Sequence, residues 1–210
     1  QSIIPEVLQS YSWKKSMKWS NYDLNWGRPL KSIIALFNNQ IVNFNFFHLA
    51  SSDKTLIDGI NEDKIERINS FKSYLKILDS QNIILDQEKR KNIIVRKMNS
   101  ICEARNLKNN FSDKLIEEVV NLVEKPNIII GKFDEIYLKI PKEILIVTMQ
   151  QHQKYFPLFD NNDNLTNLFL LVSNLKDIKG YIKIGNQRVI EARLSDAKFF
   201  WEKNKTQSLV

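Results

Sequence analysis

The sequence predicts an α+β fold in which helices pack on a mixed or antiparallel sheet. Pairs of apolar runs joined by Asn-rich turns supply the strands, and stretches with apolar residues at helical spacing supply the helices. The two kinds of segment do not alternate strictly, which argues against a doubly wound parallel sheet.

Residues 1–30 read as a packing arm. Tyr11, Trp13, Trp19, Tyr22 and Trp26 lie within it and need apolar cover. Ile33–Phe37 and Ile41–Phe47 then read as a hairpin across Asn38-Asn39-Gln40, because Asn tolerates the left-handed backbone of a tight turn. A helix is expected from Asn61 to about Leu78, with Ile65, Ile68, Phe71, Leu75 and Leu78 on one face. Ile83–Leu85 is a short strand candidate. Gln87–Arg105 is a second helix, carrying Ile94, Met98, Ile101 and Arg105 at helical spacing.

Ser112 suits the N-cap of a third helix, Asp113–Glu124, which Pro126 stops. Asn127–Phe133 reads as a strand and Asp134–Leu138 as one helical turn. Pro141 suits the first position of a helix reaching about His152. Tyr155–Phe159 and Leu165–Val172 form a second hairpin across Asp160–Asn164. A last helix runs from about Ile184 to Lys203, with Ile190, Leu194, Ala197 and Trp201 on its buried face. The expected division is an arm at 1–30, an α+β domain at 31–180, and the start of a further helical domain at 181–210.

Composition narrows the chemistry. The 210 residues are 43% hydrophobic and 26% charged, and no run of about 18 apolar residues occurs. One cysteine excludes an internal disulfide, and one Cys with two distant His residues makes a protein zinc site improbable. Five glycines leave little for a phosphate-cradling loop. The first residue is Gln rather than Met, so the chain reads as a piece of a longer protein. Twenty-seven Ile and 23 Asn against five Ala resemble coding from an AT-rich genome, which also raises the Lys count.

The net charge of +7 is uneven. Eleven basic and five acidic residues fall between Lys64 and Lys108, giving that span +6. Such a span can face a phosphate backbone, or simply solvate two helices. The candidate RNA contacts are Lys72, Lys76, Lys89, Arg90, Lys97, His152 and Arg188. If Lys89, Arg90 and Lys97 are all exposed, reversing their charge should leave stability almost unchanged.

Four segments resemble one family. They are Lys15-Ser16-Met17-Lys18-Trp19 with Gly27-Arg28-Pro29, and Glu117-Glu118-Val119 through Glu124-Lys125-Pro126 to Gly131-Lys132-Phe133-Asp134-Glu135. The others are Pro141–Leu145 with Met149-Gln150-Gln151-His152-Gln153-Lys154-Tyr155-Phe156-Pro157, and Gly185–Ile190 with Ala192–Ala197 and Phe199-Phe200-Trp201. In order and spacing, from about Pro5 to Lys203, they resemble the β subunit of bacterial heterotetrameric glycyl-tRNA synthetase, whose chain is roughly three times longer. The sequence departs from the family at 43–48, where a Gly-His-Arg-Phe-type segment is missing. It also departs at Lys125 (usually Trp), Gln187 (usually Glu) and Asn204 (usually Asp).

The resemblance implies several expectations. The whole enzyme is a cytoplasmic ligase that joins glycine to its tRNA, with ATP and magnesium handled by the α subunit. This chain would hold no aminoacylation site and no cofactor. It would contain a domain similar to the editing-type B3/4 domain, and its partners would be the α subunit and tRNA(Gly), not a membrane. The alternatives are hydrolysis of mischarged tRNA, or a scaffold for the α subunit. Glycine is the smallest amino acid, so a tight pocket excludes its rivals by clash, and editing is needed least.

Other chemistry has a bland counterpart. His152 could act as a base or an RNA contact, or could end the Pro141 helix. Arg188 could touch phosphate, while Arg193 and Asp196 could pair along the last helix. Asp134 and Glu135 could hold magnesium or cap a helical turn. Cys102 reads as a small core residue.

Overall fold

The computed structural model describes residues 3–57 and 65–206. They form a mixed α+β structure with six α-helices and small sheets, in two compact units, residues 1–83 and 84–210.

The first unit begins with helix α1 (Ile3–Ser10), which the sequence reading did not anticipate. Strands β1 (Ile33–Ile34), β2 (Leu36–Phe37), β3 (Gln40–Ile41), β4 (Asn45–Phe46), β5 (Leu49–Ser52), β6 (Lys54–Leu56) and β7 (Ile65–Arg67) follow, then helix α2 (Phe71–Ser80). The hairpin turn stands where expected. Asn38 and Asn39 both adopt positive φ, 49° and 62°, and join β2 to β3 with Phe37 opposite Gln40. Two positive φ values in a two-residue loop match the right-handed strand twist.

The long hairpin itself is not formed. Its outer parts pair elsewhere: β1 runs parallel to β5, and β4 runs antiparallel to β5 around Phe47, also at positive φ. Ser51 fixes this crossing, donating from Oγ to the Val42 carbonyl and accepting from the Phe44 N–H.

The helix expected from Asn61 is also corrected. Residues 61–64 lie outside the described residues, and Ile65–Arg67 pair with Lys54–Leu56 as β7 against β6. The helix starts at Phe71 because Ser70 and Ser73 form a reciprocal capping box. Ile65 and Ile68 have helical spacing, but Ile68 is buried outside the helix and Phe71 is exposed. Ile83–Leu85 form no strand; the Ile84 N–H instead donates to the Glu124 carbonyl.

The second unit is layered. Helix α3 (Gln87–Ala104), strand β8 (Lys108–Asn109), helix α4 (Asp113–Leu122) and strand β9 (Asn127–Lys132) lead to a 3-10 turn at Glu135–Lys139 and helix α5 (Lys142–Val147). Strands β10 (Phe156–Phe159) and β11 (Leu165–Ser173) and helix α6 (Tyr181–Lys205) complete it. The sheet order is β8-β10-β11-β9, antiparallel throughout. Side chains alternate along β11. Leu170 joins Phe156, Leu158 and the α3–α4 residues Ile94, Met98, Cys102, Leu115 and Val119 on one face. Phe169 and Leu171 join Leu145, Met149, Tyr155, Ile190 and Leu194 on the other.

The expected further domain at 181 is therefore not separate in this unit, since α6 inserts Ile190 and Leu194 into the second core. Pro141 is the N-cap rather than the first turn of its helix, which relaxes into a π-helical turn at Thr148–His152. Ser112 precedes α4 but makes no capping hydrogen bond.

Candidate nucleic-acid interface

The basic span 64–108 is divided between the two units: α2 carries Lys72 and Lys76 in the first, and α3 carries Lys89, Arg90 and Lys97 in the second. Lys72, Lys76 and Lys89 are exposed and form no ion pair among the described residues.

Arg90 is different and corrects the sequence reading. Only 8% of it is exposed. Its Nε donates to the Val120 carbonyl at 2.8 Å and its Nη1 donates to the Ile84 carbonyl. The guanidinium thus ties α3 to the end of α4 and to the segment before α3. It falls on the buried stripe with Ile94, Met98 and Cys102, at spacing four, and is spent on backbone carbonyls rather than presented to solvent.

Lys97 lies two turns further along α3 but is exposed, and it donates to the Pro126 carbonyl at 3.2 Å. Beside it lies a groove of about 730 Å³ lined by Arg96, Lys97, Lys176 and Lys183, with Asn127–Ile130 along one wall. Asp177 also borders the groove, but its two carboxylate oxygens accept the Ile182 and Lys183 N–H groups at the start of α6. Four cations therefore face one acid already engaged as a helix cap. Lys176 and Lys183 were not identified from sequence. The run Lys176, Lys179, Lys183 before and into α6 was the available signal.

His152 is exposed at the end of the π-helical turn, and Arg188 is exposed on α6. Arg193 and Asp196 form no ion pair; the pair on α6 is Lys198–Glu202, at 3.9 Å. Asp134 accepts the Ile136 N–H and so caps the 3-10 turn. Cys102 is a buried core residue whose thiol is pushed up by burial. Among the described residues no three His, Cys, Asp or Glu side chains come together as a metal group, and no helix is long and apolar enough to cross a membrane.

The aromatic arm packs largely on its own unit. Trp13, Trp26 and Phe46 form a chain of contacts with centroids 4.9 Å and 5.5 Å apart. Tyr22 stacks on His48 at 3.6 Å, with Trp19 edge-on to the same imidazole.

Comparison with known proteins gives a consistent result. The family described as Glycyl-tRNA synthetase beta subunit matches residues 1–210. A protein of Rickettsia akari (strain Hartford) named Glycine--tRNA ligase beta subunit is 37% identical over 208 residues, covering 99% of this chain and 31% of the relative. One of the same name from Rickettsia peacockii (strain Rustic) is 38% identical over 208 residues, with the same coverage. A third, from Rickettsia bellii (strain OSU 85-389), is 37% identical and is covered to 32%. The chain thus spans about a third of the length of the curated relatives it matches.

Proposed function

The chain belongs to the glycyl-tRNA synthetase beta subunit family, and from that premise we propose that it is part of the β subunit of glycine–tRNA ligase. In this reading it contributes tRNA binding and subunit architecture to the ATP-dependent charging of tRNA with glycine. The carrying observation is the family match over all 210 residues. The exposed cations Lys72, Lys76 and Lys89, unpaired among the described residues, support a phosphate-facing role, and Lys97, His152 and Arg188 join them as candidate contacts. Arg90 does not, because it is buried and its Nε and Nη1 donate to backbone carbonyls.

The partner is a glycyl-tRNA synthetase α subunit, and the compartment is the cytoplasm. The α subunit supplies the aminoacylation site. The residues present here do not fit ATP and magnesium: five glycines offer no phosphate-cradling loop, and in the Asp134–Glu135 pair Asp134 is engaged as a cap. The α+β region resembles a B3/4 editing-type domain in this reading, used for architecture and binding rather than hydrolysis.

The test is direct. The purified chain should bind tRNA(Gly) transcript in a salt-dependent manner and show no glycine-dependent ATP–pyrophosphate exchange. Adding the α subunit should tighten tRNA binding. Exchange by the chain free of α subunit would overturn the assignment of the active site, and robust deacylation of Ala-tRNA would favour an editing enzyme.

A further inference from the structure

Strand β9 lies at the edge of the four-stranded sheet, and its outward groups can be identified from register. The Phe133 N–H donates to the Asn167 carbonyl, so 133 and 167 are a hydrogen-bonded pair. Such pairs alternate along an antiparallel ladder. Gly131, Ile129 and Asn127 therefore turn their backbone groups toward β11, opposite Phe169, Leu171 and Ser173. Lys132, Ile130 and Ile128 turn theirs away from the sheet.

The two ends of this edge are covered. Gln187 donates to the Lys132 carbonyl at 2.8 Å, and Lys97 donates to the Pro126 carbonyl at 3.2 Å. Both bonds land where the register places an outward carbonyl. Between them, the outward N–H and C=O groups of Ile128 and Ile130 face the groove with no hydrogen bond to another described residue. At about 3.3 Å per residue, the open stretch suits a strand of roughly five residues.

The walls say what kind of strand. Arg96 and Lys97 stand on the α3 side, with Lys176 and Lys183 on the α6 side. A second copy of β9 would bring the same cations against them and be repelled. RNA is served poorly too, because no aromatic side chain lines the groove on which a base could stack. An acidic chain matches both the charge and the free backbone groups.

We propose that the open edge of β9 docks an extended, acidic segment of a partner polypeptide, which adds a strand beside Ile128–Ile130 between the two pairs of cations. The backbone bonds supply the attachment, and Arg96, Lys97, Lys176 and Lys183 select acidic side chains. This site is separate from Lys72, Lys76 and Lys89, invoked above for tRNA, and shares only Lys97 with those candidate contacts.

The probe is a blocked seven-residue peptide of alternating Glu and Val, which a one-residue slip lets present Glu to either wall. Binding to the 210-residue chain is followed by fluorescence anisotropy and by amide hydrogen exchange. The expected result is salt-sensitive binding with slowed exchange at Ile128 and Ile130. A version N-methylated at alternate residues, of identical charge, should bind at least tenfold more weakly, as should the native peptide to the double variant Lys176→Glu, Lys183→Glu. Ile128→Pro removes one outward donor without touching the ladder to β11, and should abolish binding if circular dichroism shows it folded; the charge variants keep the test intact if it is not.

No binding, or equal binding of the N-methylated peptide, overturns the proposal. So does protection of Ile128 and Ile130 by a ten-nucleotide oligouridylate instead of the peptide, which would make the groove an RNA site. Concentration-dependent self-association that protects the same amides would assign the edge to a second copy and equally overturn it.

Discussion

The ring of Phe169 fills the space where Gly131 would otherwise carry a side chain. The two residues face each other across β9 and β11, and a Cβ on Gly131 would sit 2.4 Å from Phe169 Cζ. On its other side the ring stacks on Tyr155, with centroids 4.7 Å apart. Phe169 is fully buried, so it has no room to retreat. Gly131→Ala should therefore destabilise the second unit by about 1–3 kcal/mol through overpacking. Denaturant unfolding measures this, and adding Phe169→Leu should recover part of the loss if the clash is its cause.

Arg90 separates structural from surface charge on α3. Arg90→Ala leaves the Val120 and Ile84 carbonyls without their charged donor. Hydrogen bonds to charged groups contribute about 1.5–3 kcal/mol each way of counting, and the loss should fall in that range or above it. Lys89→Ala, one residue away and exposed, should change stability by no more than about 0.5 kcal/mol. Equal midpoints for the two variants in urea would contradict the buried role.

Periodicity made much of the second unit legible. The α3 and α6 stripes, the β10–β11 hairpin and the strand after Pro126 were all readable, because local pattern and packing agree there. The stripe even contained the answer for Arg90, which lies four residues before Ile94. Its charge suggests a surface position, but its place in the stripe decides its burial. The first unit resisted for the opposite reason. Lys54–Leu56 and Ile65–Arg67 are three-residue strands whose pairing lies in the contact between them, and Ile65 and Ile68 mimic a helix. The basic groove was not legible, since Arg96, Ile129 and Lys183 meet only after folding.

Tyr155 predicts a pH dependence. Its hydroxyl donates to Asn186 Oδ1 on α6, and burial pushes its pKa up from the ordinary value near 10 to about 12. The fold holds the neutral phenol, while the unfolded chain ionises first. The contribution is thus fully present below pH 10 and is lost as pH rises from 10 through 12. Other groups titrate there as well, so the comparison is with Tyr155→Phe. That variant should cost about 1 kcal/mol at neutral pH and lose less stability between pH 10 and 12. Parallel stability curves for the two proteins would refute this.

The Asn38-Asn39 turn gives a change expected to stabilise. Both residues hold left-handed backbone, φ 49° and 62°, which glycine adopts without the penalty of a Cβ. Asn39→Gly should match the turn preference and raise stability by up to about 1 kcal/mol, set against the entropy glycine adds to the unfolded chain. Gly at 39 should in any case be tolerated far better than Val, whose branched side chain opposes positive φ. A thermal midpoint lower for the Gly variant than for the Val variant would show that the turn does not constrain this hairpin.

The tRNA reading makes a prediction about salt. Lys72, Lys76 and Lys89 are exposed and unpaired among the described residues, so replacing them with Gln removes charge without breaking structure. If they contact phosphates, each lost contact should flatten the log–log salt dependence of binding by about 0.7 to 0.9. The triple variant should then lose up to about 2.7 units of slope, and its affinity should fall for unrelated RNAs as well, because phosphate contacts do not read sequence. Unfolding midpoints should stay near wild type, which separates this loss from the one expected at Arg90. Filter binding of tRNA(Gly) and of an unrelated transcript at several salt concentrations gives both slopes at once. An unchanged slope would mean that these lysines only solvate their helices, and that tRNA meets this chain elsewhere, first of all at His152 and Arg188.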